Sequence, residues 1–165
     1  MMDSGQRRTS EVSADERAGR VLIVAHRSAL DQSLLAAVAH RASASPADFT
    51  LLIPALAHGL HRLVDPEDQD GAEAEGLLEA AIPAVSAAAG APITGMVGGH
   101  DPLAAAWDAL NLGAYDEVIV AAESNRLSRL LRIDLPRRIA GLGVPVTVVS
   151  TERGEPASPG LPQAA

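Results

Sequence analysis

The chain has 165 residues, 47% of them apolar and 21% charged, with a net charge of -8 at pH 7. That is enough for one domain with a sizeable core, and the negative balance argues against a general binder of nucleic acid or anionic membrane. There is no cysteine and all 13 basic residues are Arg, which excludes disulfides, thiolate metal sites, cysteine nucleophiles, a phosphate-loop lysine and Schiff-base chemistry.

Aromatic residues make up only 2% of the chain, so Val, Ile, Leu and Ala must build the core, and stacking platforms for single-stranded nucleic acid are nearly absent. No apolar run approaches the roughly 18 residues of a membrane helix. Residues 1–19 are polar, lack the apolar stretch of a secretory signal and read as a flexible tail. A cytoplasmic protein without nucleic-acid or membrane partners is expected.

Residues 20–25 (RVLIVA) form a continuous β-branched run, the pattern of a strand buried on both faces in the middle of a parallel sheet. His26, Arg27 and Ser28 follow at its carboxyl end. A helix is predicted over 29–42, with Ser28 as N-cap and Leu30, Leu34, Ala37, Val38 and Arg41 at helical spacing. A second strand spans 48–54 and closes at Pro54. The connection 55–70 is long for a strand-to-helix loop and carries His58, His61, Asp65, Glu67 and Asp68.

The next helix is predicted over 72–89, with Leu77, Leu78, Ala81, Ile82, Val85 and Ala88 on its apolar face and Gly90 as its stop. Pro83 inside it should kink or break it. Residues 93–97 form a weaker strand that contains Gly95. Asp101-Pro102 then starts a helix with Leu103, Ala106, Trp107 and Leu110 on its core face, ending near Gly113. A fourth strand covers 117–121. Asp134 caps a helix ending at Gly141 or Gly143, and the fifth strand is 144–150. Residues 151–165 are rich in Pro and Gly and read as a disordered tail.

Five strands alternating with four helices specify an α/β fold: a Rossmann-like, open, five-stranded parallel sheet with helices on both faces, over residues 20–150. Ligands of such sheets sit where loops leave the carboxyl ends of strands. His26, Arg27 and Ser28 would line one side of that cleft. Ala122, Ser124, Asn125, Arg126, Ser128 and Arg129 would line the other, with Arg126 and Arg129 gripping a small anionic ligand through forked hydrogen bonds. The plainer alternative pairs Arg129 or Arg132 with Asp134 or Glu123 and leaves Arg137 and Arg138 on a solvated helix face.

The loop bearing His58 and His61 offers metal donors but matches no established spacing. His26 and Ser28 have no nucleophile elbow or orienting third residue around them, so no catalytic residue is assigned. His100 reads as part of the turn into the third helix. Val144, Val146 and Val148 alternate with Pro145, Thr147 and Val149, leaving both faces of the fifth strand apolar. At a sheet edge such a strand invites pairing with a second copy.

From residue 20 to 150 the chain resembles the universal stress protein family. The resemblance is carried by Val24-Ala25-His26-Arg27-Ser28 after the first strand, by Val118–Ala121 followed by Leu127-Ser128-Arg129-Leu130-Leu131, and by Pro145-Val146-Thr147-Val148-Val149. It implies the fold, a homodimer through the fifth strand, and a cleft for ATP or another adenine nucleotide. The sequence departs from the family pattern where phosphates are held. Ala122-Glu123-Ser124-Asn125-Arg126 and Ile133-Asp134 stand where glycines and Gly-Ser are usual. Glycines there let backbone amides close on phosphate, and Asp134 would repel it. The expected function is therefore a regulatory or stress-response protein whose cleft takes a nucleotide or other anion. The alternatives are a dimeric interaction module that binds no nucleotide, and a metal-dependent nucleotide hydrolase.

Overall fold

The computed structural model describes residues 17–56, 66–123, 137–141 and 143–151. Its strands are β1 (Gly19–Val24), β2 (Ala47–Pro54), β3 (Thr94–Gly98), β4 (Glu117–Glu123) and β5 (Val146–Thr151). Its helices are α1 (Gln32–Ala44), α2 (Pro66–Ala89) and α3 (Pro102–Leu112), joined by a 3-10 turn at Arg27–Leu30 and a helical turn at residues 137–140. The strands form one sheet in the order β3-β2-β1-β4-β5, and every pairing is parallel. The Rossmann-like α/β architecture expected from the alternation is the one present.

β1 occupies the middle because its residues can be buried on both sides. Val21, Leu22 and Ile23 are wholly buried. Val21 and Ile23 point toward α1 and α2, where they meet Leu34, Val38, Ala81 and Val85 together with Phe49, Leu51, Ile53 and Ile119. Leu22 and Val24 point the other way, onto Ala105, Ala106 and Ala109 of α3 and onto Ile139. Alternate residues of one strand thus seed two separate cores, as the period of two requires.

Several boundaries differ from the sequence expectation. Gly19 belongs to β1 rather than to a tail, since its N–H donates to the Pro46 carbonyl at 2.9 Å. α1 is capped by Asp31, whose carboxylate accepts from the Ser33 N–H at 2.8 Å, and not by Ser28. Ser28 sits one turn earlier in the 3-10 segment, so Leu30 falls off the apolar stripe and is 48% exposed. α2 begins at Pro66, which shortens the preceding connection to 55–65 and places Glu67 and Asp68 in the helix. Pro83 does not break α2. Glu79, four residues back, and Pro83 itself are both exposed, so water can meet the carbonyl that loses its partner. The buried Ala81 and Val85 meanwhile hold the helix on the sheet.

Asp101 caps α3 as expected, accepting from the Ala104 N–H at 2.8 Å, and Gly113 ends it. Trp107, however, is not core; it is 48% exposed, and three alanines make the buried face. Small residues are needed there because the helix comes very close to β3. A Cβ on Gly98 would lie 2.5 Å from the Ala105 Cβ and 2.9 Å from Leu52 Cδ1. Gly95, an odd number of residues away and so on the other face, is crowded by Leu78 and Ile82 of α2 at 2.9 Å. The glycines that weaken β3 as a sequence signal are what lets two helices approach it.

The amino-terminal end of the sheet is tied by polar contacts. Arg41 Nε of α1 meets Glu117 Oε2 of β4 at 2.6 Å, both side chains being only about a fifth exposed. The Arg20 and Asp116 segments exchange hydrogen bonds, Arg20 N–H to Asp116 Oδ2 and Asp116 N–H to the Arg20 carbonyl, each 2.8 Å. The Arg20 guanidinium lies 5.3 Å from the Tyr115 ring centre, within cation–π range.

Gly98→Ala should lower stability by about 1–3 kcal/mol through overpacking against α3. Gly99→Ala, where the added Cβ meets nothing within 4 Å, should change it by less than about 0.5 kcal/mol. Chemical denaturation of the two variants checks this, and equal losses would mean the β3–α3 contact is not tight. Arg41→Met should cost about 1–3 kcal/mol by leaving Glu117 without its hydrogen-bonded cation, and the same denaturation curves would show it.

Candidate functional site

The order β3-β2-β1-β4-β5 contains one reversal. The chain leaves β1 toward β2 and β3, then returns across the sheet to β4 on the other side of β1. In open parallel sheets ligands bind at such a switch point, outside the carboxyl ends of the strands that flank it, which here are β1 and β4. His26, Arg27 and Ser28 follow β1, and Ala122 lies near the carboxyl end of β4. Of the expected site, the described residues His26, Arg27, Ser28 and Ala122 lie at this switch point.

On the β1 side, Ala25 still bonds to β2, its N–H donating to the Leu52 carbonyl at 3.2 Å. The chain then turns tightly: Ala29 N–H donates to the His26 carbonyl at 3.0 Å and Asp31 N–H to the Ser28 carbonyl at 3.1 Å. This 3-10 turn packs against β4 and α2. It buries Ser28 to 6% exposure and leaves His26 half-buried. Arg27 points to α2, where its guanidinium lies 3.0 Å from Glu73 Oε1. Both side chains are well exposed, so water and salt screen the attraction.

On the other side, Ala122 is not a loop residue. β4 runs two residues beyond Ala121, with Ala122 opposite Ser150 and Glu123 opposite Thr151 on β5. Ala122 is 7% exposed and its backbone belongs to the ladder. The strand lengthens because β5 itself continues to Thr151 and offers the pairing. Ser124, Asn125, Arg126, Ser128 and Arg129 lie outside the described residues, as do His58, His61, Asp65 and Asp134. Arg137 and Arg138 are exposed on the helical turn, while Ile139 beside them is fully buried.

Three features of this rim were not legible in the sequence. His100 lies near Ala55, Nδ1 2.8 Å from the Ala55 carbonyl oxygen, and Ala55 N–H donates to the Gly98 carbonyl at 3.1 Å. The turn after β3 is thereby fastened to the end of β2. Glu73 is the acidic partner of Arg27 from 46 residues away, a separation for which no local pattern exists. Thr151, at the end of β5, is 2% exposed, and its hydroxyl has no hydrogen-bond partner among the described residues. Among the described residues no three His, Asp or Glu side chains converge on a possible metal position. Nor is any described helix long and apolar enough to cross a membrane.

No family model matches the sequence, and no curated protein matches it. Solved structures do match its fold. A universal stress protein in complex with cAMP is 19% identical, with a TM-score of 0.53 over 81% of this chain and 97% of that one. A universal stress protein from Archaeoglobus fulgidus is 14% identical, with a TM-score of 0.54 over 79% of this chain and 93% of that one. The resemblance read from the strand ends and the fifth strand is thus matched by a likeness of fold.

Removing Arg27 tests how much the exposed ion pair holds the rim. Arg27→Ala should lower stability by less than about 1 kcal/mol, and the loss should shrink further at high salt. A larger, salt-insensitive loss in urea unfolding would make the pair a structural anchor of the 3-10 turn.

Proposed function

We propose that this chain is a universal stress protein-like regulatory protein whose crevice between β1 and β4 takes a nucleotide or another small anion. The observation that carries this reading is the reversal of strand order beside β1. In that arrangement His26, Arg27 and Ser28 would face the segment that follows β4. The cAMP bound by one protein of similar fold supports the nucleotide class. Arg126 and Arg129 would supply the anion contacts, because a guanidinium fork matches phosphate oxygens and always stays charged. The protein would act in the cytoplasm and catalyse no reaction.

A second reading, an interaction module that binds no nucleotide, has its own support. Arg27 is engaged by Glu73. The backbone of Ala122 is committed to β5, so it cannot wrap a phosphate as a glycine loop does. Ile133-Asp134 supplies a β-branched residue and a negative charge where the family has Gly-Ser.

Thermal unfolding with magnesium and ATP, ADP, AMP or cAMP separates the two. A nucleotide at a hundredfold excess over its dissociation constant should add about 2.7 kcal/mol of stability, and Arg126→Ala with Arg129→Ala should abolish the gain. No shift with any nucleotide favours the interaction module. Ile133→Gly with Asp134→Ser should raise ATP affinity by removing the like charge; an unchanged affinity would refute that electrostatic reason.

Dimerisation through β5 belongs to the same proposal. β5 is an edge strand, and Val148 on it is 43% exposed. Val146 is half-buried against the core on the α3 side of the sheet, so its substitution would disturb the core as well as any interface. Val148→Lys is the cleaner variant: it should give a monomer by light scattering, and a persisting dimer would place the interface elsewhere.

A further inference from the structure

Arg27 is the cation that follows β1 at the switch point, and a carboxylate of the protein already holds it. Its guanidinium donates to Glu73 Oε1 at 3.0 Å. The two residues stand 46 positions apart, so the contact depends on how α2 packs against the 3-10 turn and has no counterpart in local sequence.

The backbones on both sides are fixed, while the side chains are not. Ser28 and Ala29, next to Arg27, are 6% and 2% exposed, and Ala74, next to Glu73, is fully buried. Ala29 and Ala74 belong to one core cluster. The carboxylate is therefore always presented within reach of the guanidinium. The side chains themselves are 52% and 40% exposed. Each can swing away by a change of rotamer, a ps–ns event for exposed groups, without moving α2 or the turn.

A guanidinium fork recognises carboxylate and phosphate by the same hydrogen bonds. Glu73 thus engages a donor that a ligand phosphate would use. A phosphate monoester carries more charge and three acceptor oxygens, so it can take the place of the carboxylate. An ion pair this exposed is weak, because water and salt screen it. Displacing it lowers the affinity of a ligand modestly and does not abolish binding.

We propose that Glu73 is an internal competitor, which a ligand anion displaces from Arg27 and which thereby sets the affinity of the site. The proposal rests on the reading of the switch point as an anion site and adds a residue to it. Glu73 is a positioning residue that acts through Arg27. It holds the guanidinium beside the turn and releases it when phosphate arrives.

Calorimetric titration of the full chain with AMP and with inorganic phosphate, at one low salt concentration, tests this. The proteins are the unsubstituted chain, Glu73→Gln, Arg27→Ala and the double variant. Glu73→Gln keeps the size of the side chain and removes its charge. It should bind both probes about two- to fivefold more tightly, the equivalent of an exposed ion pair. In the Arg27→Ala background the same substitution should give no gain. Glu75→Gln removes an equal charge from an exposed position two residues along α2, where helix geometry turns it away from Arg27, and should give none either. A gain that survives without Arg27, or that Glu75→Gln reproduces, is repulsion through space and overturns the proposal. Binding that Glu73→Gln leaves unchanged overturns it while the anion site stands. Binding by none of the proteins brings down the anion site itself, and the competitor with it.

Discussion

The whole molecule depends on the burial of β1 on both of its faces. Val21, Leu22 and Ile23 have no exposed surface, and that is possible only if helices cover the sheet above and below. A strand with both sides apolar would otherwise present a large adhesive surface to water. The requirement fixes the central place of β1 between β2 and β4. It also forces the chain to cross over once, from β3 at one side to β4 at the other. The switch point at β1 and β4 is a consequence of that crossing, so the demand for a dry core and the position of the candidate site have the same origin.

The two ends of the sheet are built differently. At the amino-terminal end, charged side chains join elements far apart in sequence: Arg41 with Glu117, and Arg20 with Asp116 and Tyr115. At the carboxyl end the described contacts are main-chain bonds (the 3-10 turn after β1 and the Ala55–Gly98 bond) together with side-chain contacts from Asp101, His100 and the exposed Arg27–Glu73 pair. Side chains thus fasten the amino-terminal end. The carboxyl end leaves His26 half-buried and Arg27 exposed. Thr151 adds a buried hydroxyl without a partner among the described residues, an arrangement that ordinarily costs about 1–3 kcal/mol.

Helix packing accounts for the composition of the second face. α3 meets β3 at a glycine and the sheet at three alanines, so contact there is made through backbone proximity rather than large side chains. Such a face gains little apolar area per residue, and its larger groups are displaced outward. Trp107 lies among those outward groups.

Much of the architecture was legible in the sequence. The β-branched run at 20–25 named the central strand, and the alternation of strands and helices named a parallel sheet. Asp101-Pro102, Gly90 and Gly113 marked helix ends by chemistry that acts over three or four residues. What the sequence could not show depends on neighbours distant along the chain. Arg27 meets Glu73, β5 draws β4 out through Ala122 and Glu123, and the tight β3–α3 contact turns Trp107 outward. Local patterns report how each residue treats its own backbone and water. Which charges pair, where a strand stops and which helix face is dry are decided by what another element places opposite them, and only the folded chain brings those elements together.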